Sequence, residues 1–168
     1  MSAHRFHPTI LRAYDIRGIF EDTLTTEDAF ALGLSCISIQ KQRGLGNEVT
    51  VGRDGRLSSP ALAAALIDGL VAGGAQVSDI GCGPTPMLYF AAHRLGSGGA
   101  IQVTGSHNPP THNGFKMVMG GLSFFGADIE ELGRISAAGP DRDDNGGVVS
   151  RAIEEAYVDR LAAGAVAT

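Results

Sequence analysis

Short apolar runs alternate along this chain with stretches of helical pattern, and that alternation constrains the fold more than any other feature. Arg12 to Ile19, Glu48 to Gly52, Ala75 to Ile80, Gly99 to Val103 and Phe115 to Met119 read as strands. The intervening stretches carry helix punctuation. Thr25 is an N-cap for a helix reaching about Arg43, with Glu27 and Asp28 in its first turn. Ser59-Pro60 reads as a cap and first turn opening Ala61 to Ala72, which Gly73-Gly74 stops. Thr85-Pro86 repeats the device for Met87 to Leu95, stopped by Gly96. Further helices are expected over Ala127 to Ala137 and Ser150 to about Ala163, the latter after a Gly/Asp-rich loop at Gly139 to Gly147. Strands alternating with helices predict an α/β fold, a mixed and largely parallel sheet sandwiched between helices.

Composition narrows the function classes. A chain of 168 residues, 43% hydrophobic and 18% charged, buries roughly 70% of the surface its unfolded form exposes. A formal net charge of −5 gives no bulk attraction to nucleic acid or to an anionic membrane. No apolar run reaches membrane-spanning length, and residues 1–12 lack the apolar stretch of a signal peptide. Cys36 and Cys82 have no metal-ligand spacing, so a reducing cytoplasm is the expected location.

In a parallel sheet, ligands bind beyond the carboxyl ends of the strands. The loop after Val103 is the most informative of these: Thr104-Gly105-Ser106-His107-Asn108-Pro109-Pro110. Gly105 permits a sharp bend and close approach, while Pro109 and Pro110 stiffen the exit. Ser106 is thereby presented as a held hydroxyl, although serines in turns commonly just bond nearby backbone. A triad hydrolase ranks low. His107 is adjacent to Ser106 and poorly placed to activate it, and Asn108 stands where a nucleophile elbow needs glycine.

Other candidates gather at the same edge. Lys116, after the tight-turn dipeptide Asn113-Gly114, can neutralise a phosphate or act as an acid-base group, or lie on the surface as a snorkelling lysine. Arg17 can clamp phosphate bidentately or pair with Asp15. Arg53, Asp54 and Arg56 read as an ion-paired loop bracing the site. His93 and His112 read as surface residues, and Gly81-Cys82-Gly83 is too short for a dinucleotide fingerprint.

Thr104 to Pro110 with Asn113-Gly114-Phe115-Lys116 closely resembles the phosphoserine loop of the α-D-phosphohexomutases, especially the bacterial phosphomannomutase/phosphoglucomutase branch. The resemblance extends to Arg12-Ala13-Tyr14-Asp15-Ile16-Arg17-Gly18, to Gly52-Arg53-Asp54-Gly55-Arg56 with Ser58, and to Pro84-Thr85-Pro86-Met87-Leu88-Tyr89. It departs at His112, where close relatives often carry tyrosine. It implies that Ser106 carries the phosphoryl group and passes it to a hexose 1- or 6-phosphate through a hexose 1,6-bisphosphate. It also implies Mg²⁺, with phosphorylated Ser106 as one ligand. Arg17 and Lys116 match positions near the transferring group, Lys116 as candidate acid or base. Tyr14, His107 and Asn108 match phosphate-site or loop-supporting positions. Residues 1–150 then correspond to the first, phosphoserine-bearing domain, and residues 151–168 to a helix leading towards a second. The metal-binding Asp-x-Asp-x-Asp run and the sugar-recognition loops are not in this sequence, so the chain is expected to be a fragment without mutase activity of its own. Its expected partners are a phosphosugar and the remaining mutase domains. A non-catalytic phosphosugar-binding or interaction module is the alternative.

Overall fold

Helix α1 (Thr26–Gln42) begins where Thr25 predicts, because Thr25 and Asp28 close a reciprocal capping box. The computed structural model describes residues 3–165. The other helices are α2 (Ser59–Ala72), α3 (Thr85–Leu95), α4 (Ala127–Ala138) and α5 (Glu154–Ala165). The strands are β1 (Ile16–Ile19), β2 (Glu48–Arg53), β3 (Gln76–Cys82), β4 (Gly99–Val103), β5 (His112–Met119), β6 (Leu122–Ser123) and β7 (Gly147–Ser150).

One sheet takes all the strands in the order β1-β5-β4-β2-β3-β7, with β6 paired to β5. β4, β2, β3 and β7 run parallel. Every antiparallel pairing between these strands involves β5, which lies between β1 and β4 and also carries β6. The expected mixed α/β sandwich is therefore what the chain forms. Ile16, Val51, Ile101, Val103, Phe115 and Met117 face one helical layer, where they bury Leu32, Leu66, Leu70 and Leu132 of α1, α2 and α4. The opposite face buries Ile80 and Ala100 under Met87, Leu88 and Ala91 of α3, with Ile153 before α5. Tyr157 of α5 meets Phe90 of α3 with ring centroids 5.7 Å apart. The two longest helices approach closely at paired glycines. A Cβ on Gly33 would stand 2.3 Å from the Leu66 carbonyl, and one on Gly69 would stand 2.0 Å from that of Phe30.

Several expected boundaries move for local reasons. The first strand starts at Ile16 rather than Arg12, since the Arg12 N–H bonds the Asp15 carbonyl and makes residues 12–15 a turn. Ser58, not Ser59, precedes α2, and no side chain caps that helix; the Ser58 hydroxyl accepts the Asn113 amide, and the Ser59 hydroxyl is drawn to Asp54. Pro84 stands before α3, with Thr85 as its first residue. Asn113-Gly114 is not a turn but part of β5. Gly147–Ser150, expected as loop and helix start, is an edge strand parallel to β3, and its helix begins only at Glu154. α5 packs on α3, and residues 166–168 of the expected terminal segment lie outside the described residues.

Candidate functional site

The serine loop leaves β4 at the carboxyl edge of the parallel strands. Thr104 N–H bonds the Gly114 carbonyl at 2.9 Å, tying the start of the loop to β5. The Thr104 hydroxyl then accepts the Ser106 N–H at 2.9 Å. Ser106 adopts φ +52°, a left-handed conformation that a serine enters only at some cost. The loop holds it there through its carbonyls. Arg17 Nη1 donates to the Gly105 carbonyl at 2.8 Å, and Arg56 Nη2 donates to the Ser106 carbonyl at 3.1 Å. The two peptide oxygens flanking the seryl Cα are each held by a guanidinium. Asn108 adds its backbone N–H and side-chain amide to the Gly105 carbonyl, at 3.0 and 3.2 Å.

Arg56 does more than pair. Its other bonds reach the carbonyls of Asn108 at 2.7 Å, Pro109 at 2.6 Å and His112 at 3.0 Å, while Nε faces Asp54 Oδ2 at 3.3 Å. A Cβ on Gly105 would lie 2.3 Å from the Arg56 guanidinium carbon. Glycine at 105 is thus the residue that lets the loop lie on the guanidinium.

Asp54 links this loop to α2. Its carboxylate accepts the Ser59 hydroxyl at 2.5 Å, the Arg56 N–H at 3.1 Å and the Gly105 N–H at 3.1 Å. Burial raises the Asp54 carboxyl, but hydrogen bonds from Ser59, Arg56 N–H, Thr104 and Gly105 N–H outweigh it, leaving the group below its ordinary value. Asn113, fully buried, donates to the Ser58 and Ser59 hydroxyls at 2.8 and 2.9 Å. Ser59 and Asn113 are the members of this network that the sequence reading assigned elsewhere. The signal for Asn113 was available: an amide inside a buried strand needs partners.

Arg17 is 5% exposed, and its Nη2 pairs with Asp15 at 2.5 Å. Its Nε is buried without a partner. Arg17 lies opposite Gly114, and Lys116 lies two residues further along β5 on the same sheet face, opposite Gln102 of β4. Lys116 is half-buried and makes no ion pair or side-chain hydrogen bond among the described residues. Tyr14 is 83% exposed in the turn before β1, and His107 is exposed; neither side chain is bonded to the serine loop. Arg17, Ser106, Asn108 and Lys116 are therefore brought to one edge, while Tyr14 and His107 stand out into solvent. Among the described residues His107 makes no side-chain hydrogen bond, so it is not paired with Ser106 in the manner of a triad. A groove of about 580 Å³ between α3 and the β4–β6 strands is lined by Tyr89, His93, Gly99 and Val118 and includes none of these residues.

A magnesium ion needs several oxygen ligands. Among the described residues no three His, Cys, Asp or Glu side chains converge, and the Asp54 carboxylate is already engaged by Ser59, Gly105 and Arg56. The residues present do not form a cage for the ion. The described helices include none long and apolar enough to cross a membrane.

The chain forms an α/β/α domain that holds Ser106 at its carboxyl edge between two arginine-bound carbonyls. The sequence match agrees with that class. Residues 8–142 match the family described as phosphoglucomutase/phosphomannomutase, alpha/beta/alpha domain I, and the chain belongs to that family. It is 51% identical over 124 residues to a phosphomannomutase/phosphoglucomutase of Pseudomonas aeruginosa, covering 74% of this chain and 27% of that protein. It is 40% identical over 159 residues to a phosphoglucomutase of Neisseria gonorrhoeae, covering 90% of this chain and 33% of the relative. The solved structure of a phosphoglucomutase/phosphomannomutase family protein from Burkholderia thailandensis superposes with a TM-score of 0.85 at 41% identity, over 90% of this chain and 35% of that one. The chain thus spans about a third or less of the length of these relatives.

Proposed function

We propose that Ser106 is the phosphoryl carrier of a phosphohexomutase that interconverts hexose 1-phosphate and hexose 6-phosphate, with mannose or glucose as the sugar. The observation that carries this reading is the seryl residue held at φ +52° between the Arg17-bound Gly105 carbonyl and the Arg56-bound Ser106 carbonyl. A phosphoryl group there brings about −1.5 to −2 charges, which the guanidinium groups of buried Arg17 and half-buried Arg56 would help offset. Phosphoryl transfer asks a protein chiefly for positioning and charge stabilisation.

In the forward half-reaction the sugar's free hydroxyl oxygen bonds to phosphorus as the Ser106 Oγ–P bond breaks. The hydroxyl proton passes to a base and a proton is available to Ser106 Oγ, giving a bisphosphorylated sugar and free serine. The reverse half-reaction returns the other phosphate to Ser106 and releases the isomer. Lys116, on the sheet face shared with Arg17, is the acid-base candidate, and Asn108 supports the loop. Mg²⁺, when bound to phosphorylated Ser106, would supply further charge neutralisation, with its other protein ligands drawn from outside the described residues. The sugar and the remaining mutase domains are the partners this reading requires, in the cytoplasm.

The deciding experiment is intact mass and phosphopeptide mapping of the natural polypeptide, together with Ser106→Ala. One phosphoryl group on Ser106 and loss of mutase activity in the alanine variant are expected. Full activity in Ser106→Ala overturns the proposal, and an unphosphorylated Ser106 in a phosphosugar-binding protein without turnover favours the binding module.

A further inference from the structure

We infer that Arg56 is a positioning residue that sets the serine loop in its transfer-ready conformation, an inference that rests on the phosphoserine reading above. Four of the five N–H donors of its guanidinium go to carbonyls, those of Ser106, Asn108 and Pro109 in the serine loop and of His112 where the loop enters β5, and the fifth faces Asp54. The loop is therefore wrapped around a single planar cation, which no ammonium of three tetrahedral donors can replace.

The local sequence suits this wrapping. Carbonyls drawn inward normally oblige the next residues' N–H groups to find partners on the other side. Pro109 and Pro110 have no N–H, so the Asn108 and Pro109 carbonyls turn onto Arg56 without leaving a donor to satisfy. At the Ser106–His107 peptide the consequence differs. A trans peptide carries C=O and N–H on opposite sides, so fixing the Ser106 oxygen on Arg56 turns the His107 N–H away from the guanidinium. Arg56 thus fixes the peptide plane that follows Ser106, while Thr104 fixes the amide that precedes its Cα. Those two constraints hold φ +52°. Asp54 holds Arg56 in turn and is itself anchored by Ser59 at the start of α2, so the loop is referenced to the helix rather than to solvent.

The test uses Arg56→Lys in the natural polypeptide, which keeps the charge and loses the fork, with Ser106→Ala alongside. The expected result is a kcat lower on the order of 100-fold, as for an ångström-scale misplacement, with KM little changed. Amide hydrogen exchange should speed up across residues 106–112 while the amides of β2 and β4 stay protected. Should Arg56→Lys fail to fold, Arg56→Gln is read in the same way. Unchanged kcat and unchanged loop exchange overturn the inference while leaving the serine reading standing, provided Ser106→Ala is inactive. Loss of protection throughout β2 and β4, or failure of both variants to fold, makes Arg56 a brace of the whole domain and also overturns it. An active Ser106→Ala removes the phosphoserine reading itself, whatever Arg56 does.

Discussion

Arg17 and Gly105 are 88 residues apart in sequence, and the Arg17 guanidinium donates to the Gly105 carbonyl at 2.8 Å from a side chain only 5% exposed. This contact ties edge strand β1 to the residue before Ser106. It also leaves Arg17 with Asp15 on Nη2 and an orphaned Nε, a buried cation only partly satisfied. Such a group is costly to disturb, because removing one partner exposes the desolvation penalty of the other.

Arg17→Lys keeps the charge but has no planar fork to span Asp15 and the Gly105 carbonyl. A loss of about 1–3 kcal/mol is expected from the unsatisfied buried groups, read as a lower urea midpoint at unchanged slope. In the natural polypeptide the same variant should lose activity, since the loop carrying Ser106 loses one of its two arginines. Wild-type stability and kinetics would make the Arg17 contacts to Asp15 and the Gly105 carbonyl incidental.

Lys116 stands half-buried, without an ion pair, on the sheet face it shares with Arg17. A lysine held there for acid-base work contributes roughly 10²–10⁴-fold to rate. Lys116→Met in the natural polypeptide should therefore lower kcat by that order and leave KM comparatively unaffected. If the change falls on KM alone, Lys116 is a phosphate-binding cation and the proton moves by another route.

The strands and helices flanking this site were legible because each buries a periodic apolar face. Val49, Val51, Ile101, Val103, Phe115 and Met117 alternate with residues of the other face, and Thr25 and Gly96 mark helix ends in side-chain and backbone terms. β7 was illegible for the converse reason. Val148 and Val149 are 54% and 45% exposed, so a four-residue edge strand presents no buried face to read. At the site, the loop of Arg53, Asp54 and Arg56 reads from its sequence as an ion-paired brace, and Arg56 does face Asp54, whereas Arg53 forms no ion pair among the described residues and only approaches the Asp54 carbonyl. What could not be read was how the polar groups share partners. Asn113 looked like a turn residue because Asn-Gly favours turns locally, yet β5 overrides that preference by pairing with β1 and β4 and burying the amide against Ser58 and Ser59. Ser59 looked like a cap for the same local reason and is instead a donor to Asp54.

Asp54 gives that network a pH signature. Its folded-state carboxyl lies below the ordinary value of 3.8, burial raising it and the bonds from Ser59, Arg56, Thr104 and Gly105 lowering it by more. A depressed carboxyl stabilises the fold above its unfolded value and loses that contribution as the pH falls through the folded value. The stability gap between the wild type and Asp54→Asn should hold at neutral pH and shrink on acidification below about pH 4. Equilibrium unfolding at a series of pH values checks this, and a gap independent of pH would assign the Asp54 contribution to shape rather than charge.

The two thiols should separate cleanly. Cys36 on α1 is 3% exposed, its Sγ 3.6 Å from Met117 Sδ in the core, and burial pushes its thiol from 9.0 up to about 12. Cys82, at the end of β3, is exposed. Only the thiolate attacks a disulfide reagent, so in native protein at pH 8 Cys82 should react at once and Cys36 only on unfolding. The raised value has a second consequence. Unfolded Cys36 ionises above its ordinary 9.0 while the folded thiol stays neutral, so ionisation favours the unfolded chain. Its contribution to stability is complete below pH 9.0 and wanes as the pH climbs towards about 12. Cys36→Ala should flatten that alkaline loss while lowering stability at neutral pH by removing packed volume from the α1–sheet core. Two thiols reacting at one fast rate in the folded protein would show instead that α1 opens locally, and the core contact to Met117 would not be persistent.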